Sequence, residues 1–155
     1  MRFLILATLS GLALMGCASV QQAPNTQETI RYASSPCFGA CPIYSVEVAP
    51  TGLIRFEGKQ YTKAIGVKEI QGSIKDYQKL VSDLKTYRPE TGTQAKTSGC
   101  QQTATDMSSY YISWIQANGT ETKLSHYKGC MSPANNKLNK IMDSLPEQLG
   151  IKDLI

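Results

Sequence analysis

Past residue 30 the apolar positions fall into short runs of period two and two longer runs of period near 3.6, and these periods predict the elements. From Pro42 to Ala49, Tyr44, Val46 and Val48 face one way and Ser45 and Glu47 the other, the pattern of a half-buried strand. Pro50-Thr51-Gly52 is a turn signal, and Leu53 to Glu57 alternates again with Ile54 and Phe56 as the buried pair. The two segments therefore form a hairpin, ended by Gly58. Tyr61 to Val67 reads as a third short strand broken by Gly66. Ser73 can cap a helix in which Ile74, Tyr77, Leu80, Val81 and Leu84 fall on one face. Residues 89–105, rich in Thr, Gln and Gly, read as a long loop. Asn118-Gly119 between Tyr110 to Ala117 and Glu121 to Tyr127 is a strong hairpin signal. A two-residue turn there pairs Tyr111 with His126, Ser113 with Leu124 and Tyr110 with Tyr127. Ser132-Pro133 starts a second helix with Leu138, Ile141, Met142 and Leu145 as its stripe, closed by Pro146 and Gly150.

The expected architecture is α+β: an antiparallel sheet of about five hairpin strands with two helices on one face. Tyr110, Ile112 and Trp114 share one face of their strand, and Tyr111 and Ile115 lie on the other; one face is expected to pack under the helices, and the other is either a candidate exposed aromatic patch or covered by loops or the C-terminal tail.

The first 29 residues follow a different rule. Met1-Arg2 carries one positive charge, and Phe3 to Met15 is almost unbroken in apolar and small residues. Thirteen helical residues span only about 20 Å, short of a bilayer core of roughly 30 Å, so this is a signal-peptide core rather than a membrane span. It runs into Leu14-Met15-Gly16-Cys17, which resembles the bacterial lipobox. That resemblance implies cleavage before Cys17, several acyl chains on Cys17 and stable membrane anchoring. Ala18 rather than Asp after the cysteine resembles an outer-membrane address facing the periplasm. Ala18 to Thr29 is polar and reads as a tether. The expected organisation is thus 1–16 signal, 17–29 lipidated cysteine and tether, and 30–155 one α+β domain.

The formal charge is +4, too weak and scattered for a nucleic-acid footprint. A single histidine, His126, argues against a catalytic triad or a multi-histidine metal centre. The twelve carboxylates show no paired acid/base spacing. No glycine-rich phosphate loop, H-E-x-x-H or nucleophile elbow is present. Asp106, beside Thr105, Ser108 and Ser109, reads as a turn cap. Asn118-Gly119-Thr120 fits the glycosylation pattern, but the turn accounts for it.

With Cys17 consumed by lipid, Cys37, Cys41, Cys100 and Cys130 remain. An even number in an exported chain favours disulfides over free thiols. Of three possible pairings, Cys37–Cys41 with Cys100–Cys130 is favoured, because the second pair flanks the Asn118-Gly119 hairpin. A four-cysteine zinc site would need four thiolates in an oxidising compartment. The alternative chemistry is thiol redox or copper binding. Cys37-Phe38-Gly39-Ala40-Cys41-Pro42 with a distant His126 resembles the copper site of Sco-type chaperones, and two thiolates plus an imidazole suit copper. Against it, a strand rather than a helix follows the motif, so no helix N-terminus lowers a thiol pKa. His126 itself reads as a half-exposed strand residue beside Tyr111.

Cys37, Phe38, Gly39, Cys41, Pro42, Tyr44 and Ser45 match a C-F-G-x-C-P-x-Y-[ST] opening. In this the chain resembles a bacterial domain-of-unknown-function family over roughly residues 30–145. Gly52, Gly58, Gly66 and Thr105-Asp106 agree with it, while Cys100 and Cys130 lie outside its pattern. The resemblance implies a compact envelope domain and assigns no reaction, ligand or catalytic residue. The expectation is a non-enzymatic lipoprotein with no cofactor, whose domain binds another envelope component such as a protein or peptidoglycan.

Overall fold

The computed structural model describes residues 27–155. The expected signal peptide, the acylated Cys17 and most of the tether lie outside the described residues. Among the described residues no helix is long and apolar enough to cross a membrane.

The domain is α+β, built on one mixed sheet whose strands run from edge to edge as β4 (Gly66–Gln71), β3 (Leu53–Gln60), β2 (Ile43–Val48), β1 (Thr29–Ser34), β7 (Ser109–Ile115), β8 (Glu121–Tyr127) and β5 (Gln94–Lys96). The central strand β1 (Thr29–Ser34) is one that the sequence reading passes over, although Ile30, Tyr32 and Ser34 alternate with Thr29, Arg31 and Ala33. Glu28, assigned to the tether with Thr29, is buried, so the fold takes in both. β2 (Ile43–Val48) and β3 (Leu53–Gln60) form the expected hairpin. Its turn needs Gly52, whose φ is +83° and whose missing Cβ would lie 2.7 Å from the Ser73 carbonyl carbon. Tyr44, Val46, Val48, Ile54 and Phe56 are all buried on one face.

The third strand is displaced. β4 is Gly66–Gln71, and 61–65 are a turn with Tyr61 at φ 56°. Gly58 does not end β3. It pairs with Gly66, and a Cβ on it would meet the Ala64 carbonyl oxygen at 1.8 Å, so the glycine marks a close backbone approach inside the ladder.

Helix α1 (Ile74–Leu84) starts at Ser73, whose side chain accepts from the Asp76 N–H, and buries Tyr77, Leu80 and Leu84. Helix α2 (Pro133–Gln148) starts at Ser132 with Pro133 in its first turn and buries Leu138, Met142 and Leu145. Pro146 does not close it but sits in its last turn. The end comes at Gly150, at φ 66°, where the Gly150 and Ile151 amides bond back to the Glu147 and Pro146 carbonyls. This is a Schellman ending, and Ile151 packs into the core behind it.

The expected loop over 89–105 is instead stitched down. β5 (Gln94–Lys96) adds to the sheet edge parallel to β8, so the sheet is not purely antiparallel. β6 (Gln102–Thr103) pairs with β9 (Cys130–Met131) in a separate two-stranded ladder.

β7 (Ser109–Ile115) and β8 (Glu121–Tyr127) pair as expected in type but one residue out of register. Tyr110 faces His126, Tyr111 faces Ser125 and Ser109 faces Tyr127. The connection has three residues, not two. The Gln116 N–H donates to the Thr120 carbonyl, the Gly119 N–H donates to the Gln116 carbonyl, and Gly119 takes φ 86°. That is a type I turn followed by a left-handed glycine, the usual three-residue hairpin. The slip of one changes which residues share a face. His126 goes under the helices with Tyr110, Ile112 and Trp114, and is fully buried rather than half-exposed.

The opposite sheet face is polar. Arg31 bonds Glu47 across β1 and β2 at 2.6 Å, and Ser45 donates to Glu57 across β2 and β3. Tyr111, about half exposed, is the large aromatic on that face of β7, so no extended aromatic patch forms there among the described residues.

Candidate functional site

The sulfurs pair as favoured: Cys37 with Cys41 and Cys100 with Cys130. The first pair closes a five-residue ring in the β1–β2 connection. Phe38 stands on this ring 88% exposed, while its N–H is fixed to the Asp106 carbonyl. Asp106 sits at φ 64°, and its carboxylate accepts from the Thr105 hydroxyl. It holds a turn, as expected.

The copper set is not brought together. Cys37 and Cys41 are joined to each other, and among the described residues no three His, Cys, Asp or Glu side chains gather as a metal site. His126 Nε2 lies 2.7 Å from Asn139 Oδ1, and Nδ1 lies 3.1 Å from the Thr97 hydroxyl. Asn139 Nδ2 donates to the Lys128 carbonyl, which turns Oδ1 toward the ring. The network therefore places the imidazole proton on Nε2, with Nδ1 accepting from Thr97. The imidazole is a core strut between β8, the end of β5 and α2.

Burial depresses the His126 pKa, with Lys128 adding to the shift while Asn139 and Asp143 oppose it. The unfolded chain then takes up a proton near pH 6.5 that the folded chain refuses. Stability is fully present above that pH and falls as pH drops toward the folded pKa. Below pH 6.5 the slope cannot exceed that of one proton, about 1.4 kcal/mol per pH unit. Urea unfolding across that range should show it, and His126→Gln should flatten it. A slope unchanged by the substitution would refute this role.

A second cluster, unmarked in the sequence reading, gathers where β1, β2 and β7 meet the last turns of α2. Ser34 lies between Tyr110 on β7 and the start of β2, so Tyr44 and Tyr110 flank it on the helix-facing side. Tyr110 donates to Asp143 at 3.0 Å, and Lys128 bonds the same carboxylate oxygen at 2.8 Å. The Lys128 ammonium also lies 5.4 Å from the centroid of the Tyr110 ring. Tyr44 stacks on Phe56 at 5.7 Å and meets Tyr32 edge-on at 6.1 Å. Ser34, Tyr44, Tyr110, Lys128 and Asp143 line an open cleft of about 430 Å³, walled by Pro42, Pro146 and Ile155 and bordered by Cys41.

Electrostatics keep the three tyrosines protonated. Burial first, then the Asp143 charge, pushes Tyr44 up to about 12, against an opposing bond from Tyr110. Burial, Tyr44 and Asp143 push Tyr110 up as well. Burial raises Tyr32 well above its ordinary value. At neutral pH these hydroxyls keep their protons and supply no phenolate. The charges are self-paired: Lys128 with Asp143, and Lys152 with Glu147 at 2.6 Å.

Tyr32 is the exception to good pairing. Its hydroxyl is buried and has no hydrogen-bond partner among the described residues. An orphaned buried hydroxyl costs about 1–3 kcal/mol. Tyr32→Phe is expected to leave the thermal midpoint unchanged or raise it by a few degrees. A clear loss of stability by calorimetry would show that the hydroxyl has a structural partner.

The cluster was legible in part. Tyr44 and Tyr110 stand out as the first inward residues of their strands. Asp143 and Lys128 carry no local signal, because they lie on opposite flanks of the stripes that define α2 and β8.

Comparison with known proteins gives one match. The model of a family described as a domain of unknown function, DUF6438, matches residues 28–147. No curated protein and no solved structure matches the chain.

Proposed function

The chain belongs to the domain-of-unknown-function family DUF6438, and we propose that this member is a lipid-anchored envelope interaction module. Cys17 is its acylation site, the outer membrane facing the periplasm its location, and the mature domain binds a partner without turning it over. One observation carries the reading. The chain enters the sheet at Thr29, at one end of β1, whereas Phe38 and the tyrosine cleft stand beyond Ser34 at the other end. Five strand steps separate the two ends by about 17 Å. Anchored through the segment that enters at Thr29, the domain presents its cleft end on the side away from its attachment.

The exposed ring supports it. Water penalises an exposed phenyl group, yet the Cys37–Cys41 ring and the bond to the Asp106 carbonyl fix the Phe38 main chain where its side chain stands in solvent. A preordered aromatic loses little entropy on docking, which suits an anchor residue. The same end carries Tyr61, Ile65 and Met107, all substantially exposed.

The test is site-specific photocrosslinking in intact cells. A probe at position 38 should give one dominant adduct, and a probe at Leu53, at the opposite end of the sheet, should not. Cys17→Ser should leave the protein unacylated by mass spectrometry and outside the membrane fraction. Equal adducts from both ends, or a membrane-bound Cys17→Ser variant, would reject the reading.

A further inference from the structure

We propose that the cleft between β1, β2, β7 and the end of α2 is a binding site for an uncharged saccharide. This deepens the interaction-module reading and rests on it.

The ligand class follows from what the cleft offers. Its hydroxyls, from Tyr44, Tyr110, Ser34 and Ser108, can both donate and accept. Its charges are already neutralised in pairs, Lys128 with Asp143 and Lys152 with Glu147. Lys152 and Glu147 pair in the open at the rim, but at the cleft floor a charged ligand would have to break the partly buried Lys128–Asp143 pair or add an unbalanced charge beside it, and either costs free energy. A neutral ligand carrying hydroxyl or amide groups breaks none. It can donate to Asp143, whose carboxylate is half exposed, and to the Tyr110 oxygen, whose proton is given to Asp143, and accept from the Tyr44 hydroxyl.

The apolar part of the wall narrows the class further. Pro42, Pro146 and Ile155 present aliphatic surface beside the hydroxyl cluster. A pyranose ring has the matching division, with C–H groups on its face and hydroxyls around its rim. The cleft volume of about 430 Å³ lies within the usual ~300–1,000 Å³ range of small-ligand sites.

The experiment is isothermal titration of the full-length protein in detergent with two neutral probes, a trimer of N-acetylglucosamine and maltotriose. A tetralysine peptide and inorganic phosphate serve as charged probes. At least one neutral probe is expected to bind, and its affinity should change less than about twofold between ~50 and ~500 mM salt, as befits a contact without ion pairs. Tyr110→Phe should weaken binding about tenfold or more, the loss of one buried hydrogen bond. Tyr44→Phe provides the same test if Tyr110→Phe fails to keep the wild-type circular dichroism. No binding of either neutral probe at about 10 mM, binding indifferent to removal of the hydroxyl, or binding of the charged probes alone would overturn the proposal. Crosslinks from position 38 in a protein that binds neither saccharide would sink the ligand class and leave the interaction module standing.

Discussion

Glu28→Ala is expected to lower the unfolding free energy by about 3–5 kcal/mol, the usual cost of breaking one side of a buried ion pair. The Glu28 side chain is 6% exposed and its partner Arg88 21%. Arg88 grips it with two bonds, of 2.6 Å and 3.2 Å, and Gln116 adds a third from the β7–β8 turn at 3.3 Å. The Glu28 carbonyl accepts from the Tyr77 hydroxyl on α1 at 2.7 Å. One residue at the point where the chain enters the domain thus ties β1 to α1, to the segment after it and to the neighbouring hairpin. Alanine leaves a guanidinium partly buried without its counter-charge, and the midpoint of urea unfolding should drop accordingly. Replacing both partners, as Glu28→Met with Arg88→Met, should recover much of the loss, because the desolvation of both charges disappears with them. A single-variant cost below about 1 kcal/mol would mean that the pair behaves as an exposed one.

Cys130→Ser is expected to cost a similar amount by a different route. Its bridge to Cys100 spans 30 residues, and closing a loop of that size restricts the unfolded chain by about 3.6 kcal/mol in the entropy model. Cys130 is 3% exposed, and its sulfur lies 3.2 Å from the buried Asn135 amide, so the substitution also disturbs a packed site. Cys100 is exposed, so Cys100→Ser removes the crosslink with little repacking. Both variants should therefore unfold at a thermal midpoint lower by about 10 °C or more, with Cys130→Ser slightly the worse. Full reduction of the wild type, which opens both bridges, should lower the midpoint further than Cys100→Ser does. Opening the Cys37–Cys41 ring should cost only about 2 kcal/mol, because so short a loop restricts the unfolded chain less. An unchanged midpoint on loss of the longer bridge would show that β6, β9 and Asn135 hold the segment without it.

The elements that the sequence reading places correctly are those whose instructions are local. Ser73 and Ser132 start helices because a hydroxyl three residues before an amide can satisfy it, whatever the rest of the chain does. Tyr44, Val46, Val48, Ile54 and Phe56 are buried because alternation sends them to one face. The errors have a common origin in pairing. Nothing in Gln94-Ala95-Lys96 marks a strand, and it becomes β5 only because β8 offers an open edge. Asn118-Gly119 suits a two-residue turn as well as a three-residue one, and the choice decides whether His126 shares a face with Tyr111 or with Tyr110. Pro146 looks like a terminator, yet a proline can occupy a last turn where the helix end is secured elsewhere, here by Gly150.

The amino-acid sequence alone determined the α+β class, both helices and their N-caps, the two hairpins and the inward residues of β2 and β3, and it favoured the pairing of the four cysteines that the fold adopts. Each of these depends on residues a few positions apart, or on a short loop that brings its ends together. The tertiary structure decided the central place of β1, the register of β7 on β8, the burial of His126 and Glu28, and the meeting of Tyr44, Tyr110, Lys128 and Asp143 around one cleft. Those depend on contacts between segments from 15 to about 100 residues apart. Short-range propensity carries no record of which distant backbone will offer a free edge, or which distant side chain will satisfy a buried charge.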